Sequence, residues 1–108
     1  MKSVANISFQ DILQRKMLYY QNNAKDEFQD MYCGYVCGFK EMLDDSNMSE
    51  DDFIKKYDGI SKALRDRFET AINEGRQIDD ADKLSGYNNA IVDVLCLFDE
   101  KYLYDIDN

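Results

Sequence analysis

The chain has 108 residues with no histidine, tryptophan or proline, and its 22 acidic residues outnumber 13 basic ones for a net charge of -9. Without histidine it lacks the commonest general base and the commonest metal ligand, and its charge sets it against nucleic acid and anionic membranes and toward basic surfaces. Eight tyrosines and six phenylalanines argue for a packed core rather than disorder, so a single domain over 1–108 is expected, with tails at 1–7 and 105–108.

Met1-Lys2-Ser3-Val4 opens a mixed stretch with no apolar run of the signal-peptide kind. No segment reaches the ~18 consecutive apolar residues that a membrane span needs. Cys33, Cys37 and Cys96, an odd number in a chain with no export signal, read as reduced thiols. A cytoplasmic location is the expectation.

Ser8, with Asp11 three residues on, is a helix start of the capping-box type. Phe9, Leu13, Met17, Tyr20, Ala24, Phe28, Met31, Tyr35, Phe39 and Met42 then recur in steps of four, four and three, a helical period. Gln21-Asn22-Asn23 is its weak point, because asparagine is a poor helix former. Either one bent helix runs from Phe9 to Leu43 or two helices meet there; the length favours a break.

Asp44 to Met48 reads as a turn. Ser49 caps the next helix, whose first turn carries Glu50, Asp51 and Asp52, acids that complement the helix dipole. Phe53, Tyr57, Ile60, Leu64, Phe68 and Ala71 or Ile72 form its apolar stripe. Gly59 interrupts it, and Gly75 suits the left-handed residue that ends a helix. Asp79 or Asp80 caps a last helix with its stripe at Leu84, Tyr87, Ile91, Val94, Phe98 and Tyr102. From Ala90 to Phe98 this helix is apolar almost all round, the pattern of a central element. The fold is therefore expected to be all-α, an antiparallel bundle of three to five helices with a long or kinked first helix.

Gly34-Tyr35-x-x-Gly38 and Gly86-Tyr87-x-x-Ala90 echo one another at an offset of 52 residues. The echo is open to two readings, a duplicated helical hairpin or coincidence between amphipathic helices. Gly34, Gly38, Gly86 and Ala90 are small residues at the interval that lets helix backbones approach closely. They mark a packing face within the chain or a face toward a second copy.

Several chemistries find no support. Cys33-x-x-x-Cys37 lacks the two-residue spacing of redox and zinc pairs, so the cysteines are expected to be small buried apolar residues. The acidic turn, read as a calcium loop from Asp44 or Asp45, puts Ser49 or Glu50 where glycine belongs and Lys55 or Lys56 where an acid belongs. Asp93, set in the apolar run, is expected to be partly buried, either as a functional acid or paired with a base of a neighbouring helix. No Glu-x-x-Glu pair with a later Glu-x-x-Asp marks a helical magnesium-dependent pyrophosphatase. The expectation is a chain without enzymatic activity and without cofactor or metal. A small helical enzyme or ligand binder is the least favoured reading.

The acids are the main functional signal. Asp44, Asp45, Glu50, Asp51 and Asp52 gather at one turn, Asp79, Asp80 and Asp82 at another, and Asp99, Glu100, Asp105 and Asp107 near the C-terminal end. Rows of carboxylates can stand in for nucleic-acid phosphates and dock on a basic groove. Tyr19, Tyr32, Tyr102 and Tyr104 are candidate aromatic anchors within an acidic rim. The partner expected is a protein with a basic surface, not nucleic acid or membrane; a homodimeric assembly protein is the alternative. Small acidic chains rich in Asn, Asp, Lys and Tyr resemble, in general character, accessory proteins of phages and mobile elements. Anti-restriction and anti-CRISPR inhibitors are among these. The likeness implies an inhibitor occupying a nucleic-acid-binding surface and carries no residue across.

Overall fold

The periodicity between Phe9 and Leu43 resolves into two helices. The computed structural model describes residues 9–23, 29–99 and 101. Among them are four helices and no strand: α1 (Phe9–Asn23), α2 (Gln29–Asp44), α3 (Glu50–Asn73) and α4 (Ala81–Phe98). At the end of α1 the Asn23 amide Nδ2 donates to the Tyr19 carbonyl at 2.7 Å. Asparagine thus competes for a backbone acceptor within the last described turn of α1. Ser8, both tails, and Ala24 and Phe28 of the apolar stripe lie outside the described residues.

Both ends of α3 follow their capping chemistry, and the start of α4 does not. Ser49 accepts a hydrogen bond from the Asp52 amide at 3.2 Å and caps α3. At the far end, Gly75 takes φ 68°. The Arg76 amide reaches the Ala71 carbonyl at 2.8 Å and the Gly75 amide reaches Ile72 at 3.1 Å, which is a Schellman closure. The exception is Asp80. It occupies the N-cap position of α4, but at φ 60° its side chain makes no capping bond. An N-cap ordinarily sits in the extended region, from which its side chain meets the first-turn amides.

Helix directions follow from contacts at the ends. Gln10 on α1 donates to the Ser46 hydroxyl just past α2 at 2.9 Å. The Phe9 ring lies 5.3 Å from Phe53 and 5.5 Å from Phe98, centroid to centroid. The start of α1, the end of α2, the start of α3 and the end of α4 therefore share one end of the molecule, and successive helices alternate in direction. Leu13, Phe39, Met42, Phe53, Tyr57, Ala90, Ile91, Val94 and Leu95 are buried together as the core. Burial of each large side chain among them contributes about 1.5–3 kcal/mol. α4 is buried on several sides, at Gly86, Asn88, Ala90, Ile91, Val92, Val94 and Leu95, as its nearly all-round apolar run requires.

The tightest packing is between α2 and α4, which run in the same sense. A Cβ on Gly34 would stand 1.9 Å from the Lys83 carbonyl oxygen; one on Gly86 would stand 2.0 Å from that of Met31. The contacts are reciprocal, since each glycine faces the carbonyl three residues before the other. Gly38 meets Ala90 on the same line, a Cβ there falling 2.8 Å from the Ala90 Cβ. Tyr87 donates to Glu41 Oε1 at 2.7 Å, and Tyr35 faces Asp93 across the other side. Each of these pairs maps onto its counterpart at the 52-residue offset of the sequence echo. The two helices are thus related locally by a pseudo-two-fold axis passing near Gly38 and Ala90.

Candidate protein-binding surface

The acidic turn is built from local hydrogen bonds. Asp45, Ser46 and Met48 donate their amides back to Glu41, Leu43 and Asp45. The Ser46 hydroxyl adds a bond to the Leu43 carbonyl at 2.7 Å. The carboxylate of Asp45 turns inward and holds the turn onto α3. It accepts from Lys56 Nζ and from the Tyr57 hydroxyl, both at 2.5 Å. These bonds, led by that from Lys56, hold the Asp45 carboxyl below the usual aspartate range. Burial, reinforced by the bond to Asp45, pushes the Tyr57 hydroxyl well above the ordinary tyrosine value.

Other acids lie at this end, Asp11 in the first turn of α1 among them. Asp44, Asp51 and Asp52 are exposed and Glu50 is half-buried. The aromatic contact between Phe53 and Phe98, with centroids 6.0 Å apart, brings exposed Asp99 to the same end. The sequence alone left open whether the turn and the C-terminal acids share an end; for Asp99 they do. Lys55, Lys56 and Lys101 are the bases nearby, and Lys56 is paired with Asp45. Met48, at the tip of the turn, is a partly exposed apolar side chain among the carboxylates. Asp79, Asp80 and Asp82 lie at the opposite end, where Asp79 and Asp80 line a groove of about 420 Å³ with Arg67, Lys83, Glu41 and Tyr87.

The anchor tyrosines fall elsewhere. Tyr19 is 57% exposed, and its ring meets Tyr20 edge-on at 5.1 Å. Tyr20 stacks on Tyr35 with centroids 4.0 Å apart and planes 4° from parallel, and meets half-buried Tyr32 edge-on at 5.2 Å. Burial, with Tyr35 and Asp93 close by, pushes the Tyr20 hydroxyl up to about 12. Because α1 and α2 are antiparallel, this aromatic cluster sits about 18 Å along α2 from Asp44, twelve residues at 1.5 Å each. The acids and the described tyrosines therefore form two surfaces. Tyr102, Tyr104, Glu100, Asp105 and Asp107 lie outside the described residues.

Gly34, Gly38, Gly86 and Ala90 are buried in the crossing of α2 with α4. That face is filled by the chain's own helix. The cysteines depart from expectation: Cys33 and Cys37 are exposed, and Cys96 is partly so. Consecutive helical residues are about 100° apart around the axis, so when the glycines face α4 the preceding cysteines turn outward. Asp93 is half-buried beside Lys16, and desolvation raises its carboxyl above the usual range. Tyr35, also raised by burial, hydrogen-bonds the Asn89 side chain next to it.

Among the described residues no group of three or more Cys, Asp or Glu side chains is placed to hold a metal ion. No helix there is long and apolar enough to cross a membrane. No protein-family model, curated protein or solved structure matches the chain.

Proposed function

We propose that this chain is a non-enzymatic protein-binding module. Its acidic end docks on the basic surface of a partner protein, in the manner of an inhibitor occupying a nucleic-acid-binding groove. One observation carries the reading: acids from three helix ends, Asp44, Glu50, Asp51, Asp52 and Asp99, converge where Phe9, Phe53 and Phe98 pack. Rigid helix ends hold these carboxylates at fixed spacing, which favours electrostatic complementarity. Exposed Met48 offers an apolar contact within the acidic rim. A cytoplasmic setting and an origin in a phage or mobile element are part of the same proposal.

The test is capture of partners from a cell lysate by the wild-type chain and by the triple variant Asp44→Asn, Asp51→Asn, Asp52→Asn. These positions are exposed, so the fold is retained. The expected result is a basic nucleic-acid-processing protein held by the wild type at low salt and released at high salt, where exposed charges are screened. The variant should lose it. A partner held equally by both chains, or unaffected by salt, overturns the reading.

A further inference from the structure

The geometry points to a two-coordinate binding site for a soft thiophilic cation, Cu(I), at Cys33 and Cys37. Both thiols are exposed. They stand one turn apart on α2 and line the same groove, with Tyr20, Tyr32, Val36 and Lys83. Residues four apart on a helix place their Cβ atoms about 5–6 Å apart, whereas a disulfide needs about 3.5–4.5 Å. A direct sulfur–sulfur bond would therefore require the helix to distort. A bridging ion would not: even at the zinc–thiolate length of about 2.3 Å, which two-coordinate Cu(I) does not exceed, a linear thiolate–metal–thiolate unit spans no more than about 4.6 Å between sulfurs, which rotation about the Cα–Cβ bonds can reach.

The ligand count selects the ion. Zinc takes three or four protein ligands, and no third Cys, Asp or Glu among the described residues joins this pair in a metal-holding group. Cu(I) favours thiolates and is satisfied by two of them. Each sulfur binds as thiolate, its proton leaving to solvent. The bis-thiolate complex carries one net negative charge, which the Lys83 ammonium on the same groove wall offsets. The site is also rigidly framed. The backbone of Lys83 is pinned against Gly34 by the crossing, and Gly34 directly follows Cys33.

The experiment is an anaerobic titration of the reduced full chain with Cu(I) in competition with a chromophoric Cu(I) chelator, followed by thiol alkylation and mass spectrometry. Expected are withdrawal of one Cu(I) per chain, a monomeric complex, and joint protection of Cys33 and Cys37 from alkylation. Cys33→Ser and Cys37→Ser should each abolish withdrawal of the ion, while Cys96→Ser should leave it unchanged. Circular dichroism of each variant confirms that helix content is kept. The assignment is overturned if the chelator keeps the ion, if either single variant binds as the wild type does, or if Cys96→Ser abolishes binding. A complex of one ion between two chains also overturns it.

Discussion

At the scale of single residues, Ser61 is the clearest anomaly. It is fully buried in α3, and its hydroxyl has no hydrogen-bond partner. An orphaned buried hydroxyl costs free energy, and serine is a poorer helix former than alanine. Ser61→Ala removes the hydroxyl without opening a void. It should stabilise the fold by about 1 kcal/mol, seen as a higher urea midpoint at unchanged slope. A lower midpoint would show that the hydroxyl is engaged by something the helices do not supply, such as an internal water. Asn88, fully buried on α4 with both amide ends unpartnered, does not allow so simple a test, because its truncation also leaves a cavity. Neither residue could be singled out from sequence, since a serine or asparagine at a helical position reads the same whether it faces solvent or core. Asp45 is similar: it looked like one more carboxylate of an acidic turn, and only the fold reveals that Lys56 and Tyr57 engage it.

At the scale of elements, the crossing of α2 with α4 rests on glycine. Adding a methyl group at Gly34 or Gly86 would set it about 2 Å from a backbone carbonyl oxygen, and backbone cannot rotate aside as a side chain can. Gly34→Ala and Gly86→Ala should each cost about 3 kcal/mol or more, the upper range for overpacking. Gly59 is the internal control. It lies on the exposed side of α3 with nothing within 4 Å of an added Cβ, so Gly59→Ala should stabilise by about 1 kcal/mol through helix propensity alone. Thermal or urea denaturation of the three variants compares them, and equal effects at Gly34 and Gly59 would contradict the close approach. The helices and most of their stripes were legible because apolar spacing and caps are local signals. Ser49 and Gly75 acted as their chemistry dictates, whereas Asp80 did not. The 52-residue echo was legible as a pattern, but its meaning was not. Reciprocal seating of Gly34 and Gly86 is a tertiary fact, and so is the outward turn of Cys33 and Cys37 that follows from it.

At the scale of the whole molecule, α2 and α4 carry a tyrosine–acid pair on each side of their crossing. Tyr35, stacked with Tyr20, faces Asp93; Tyr87 donates to Glu41, with Tyr57 and Asp45 beyond. Burial is the leading cause that raises all four hydroxyls, Tyr20 to about 12 and Tyr35, Tyr57 and Tyr87 upward from the ordinary value. The unfolded chain releases these protons near pH 10, while the folded chain holds them longer. Between those points the folded state binds more protons than the unfolded state, so stability falls as pH rises. The contribution of these tyrosines is thus fully present below about pH 10, and for Tyr20 it is lost as pH climbs through about 12. Each tyrosine that ionises also deepens the self-repulsion of a chain already at -9. Unfolding midpoints measured upward from pH 9 should therefore drop steeply above pH 10. Tyrosinate absorbance should rise in more than one stage, with Tyr20, Tyr35, Tyr57 and Tyr87 ionising late and together with loss of helical circular dichroism. A single smooth titration near pH 10 with the helices intact would show that solvent reaches these hydroxyls freely. The two-sided packing about the α2–α4 axis would then have to be looser than the stacked and hydrogen-bonded rings require.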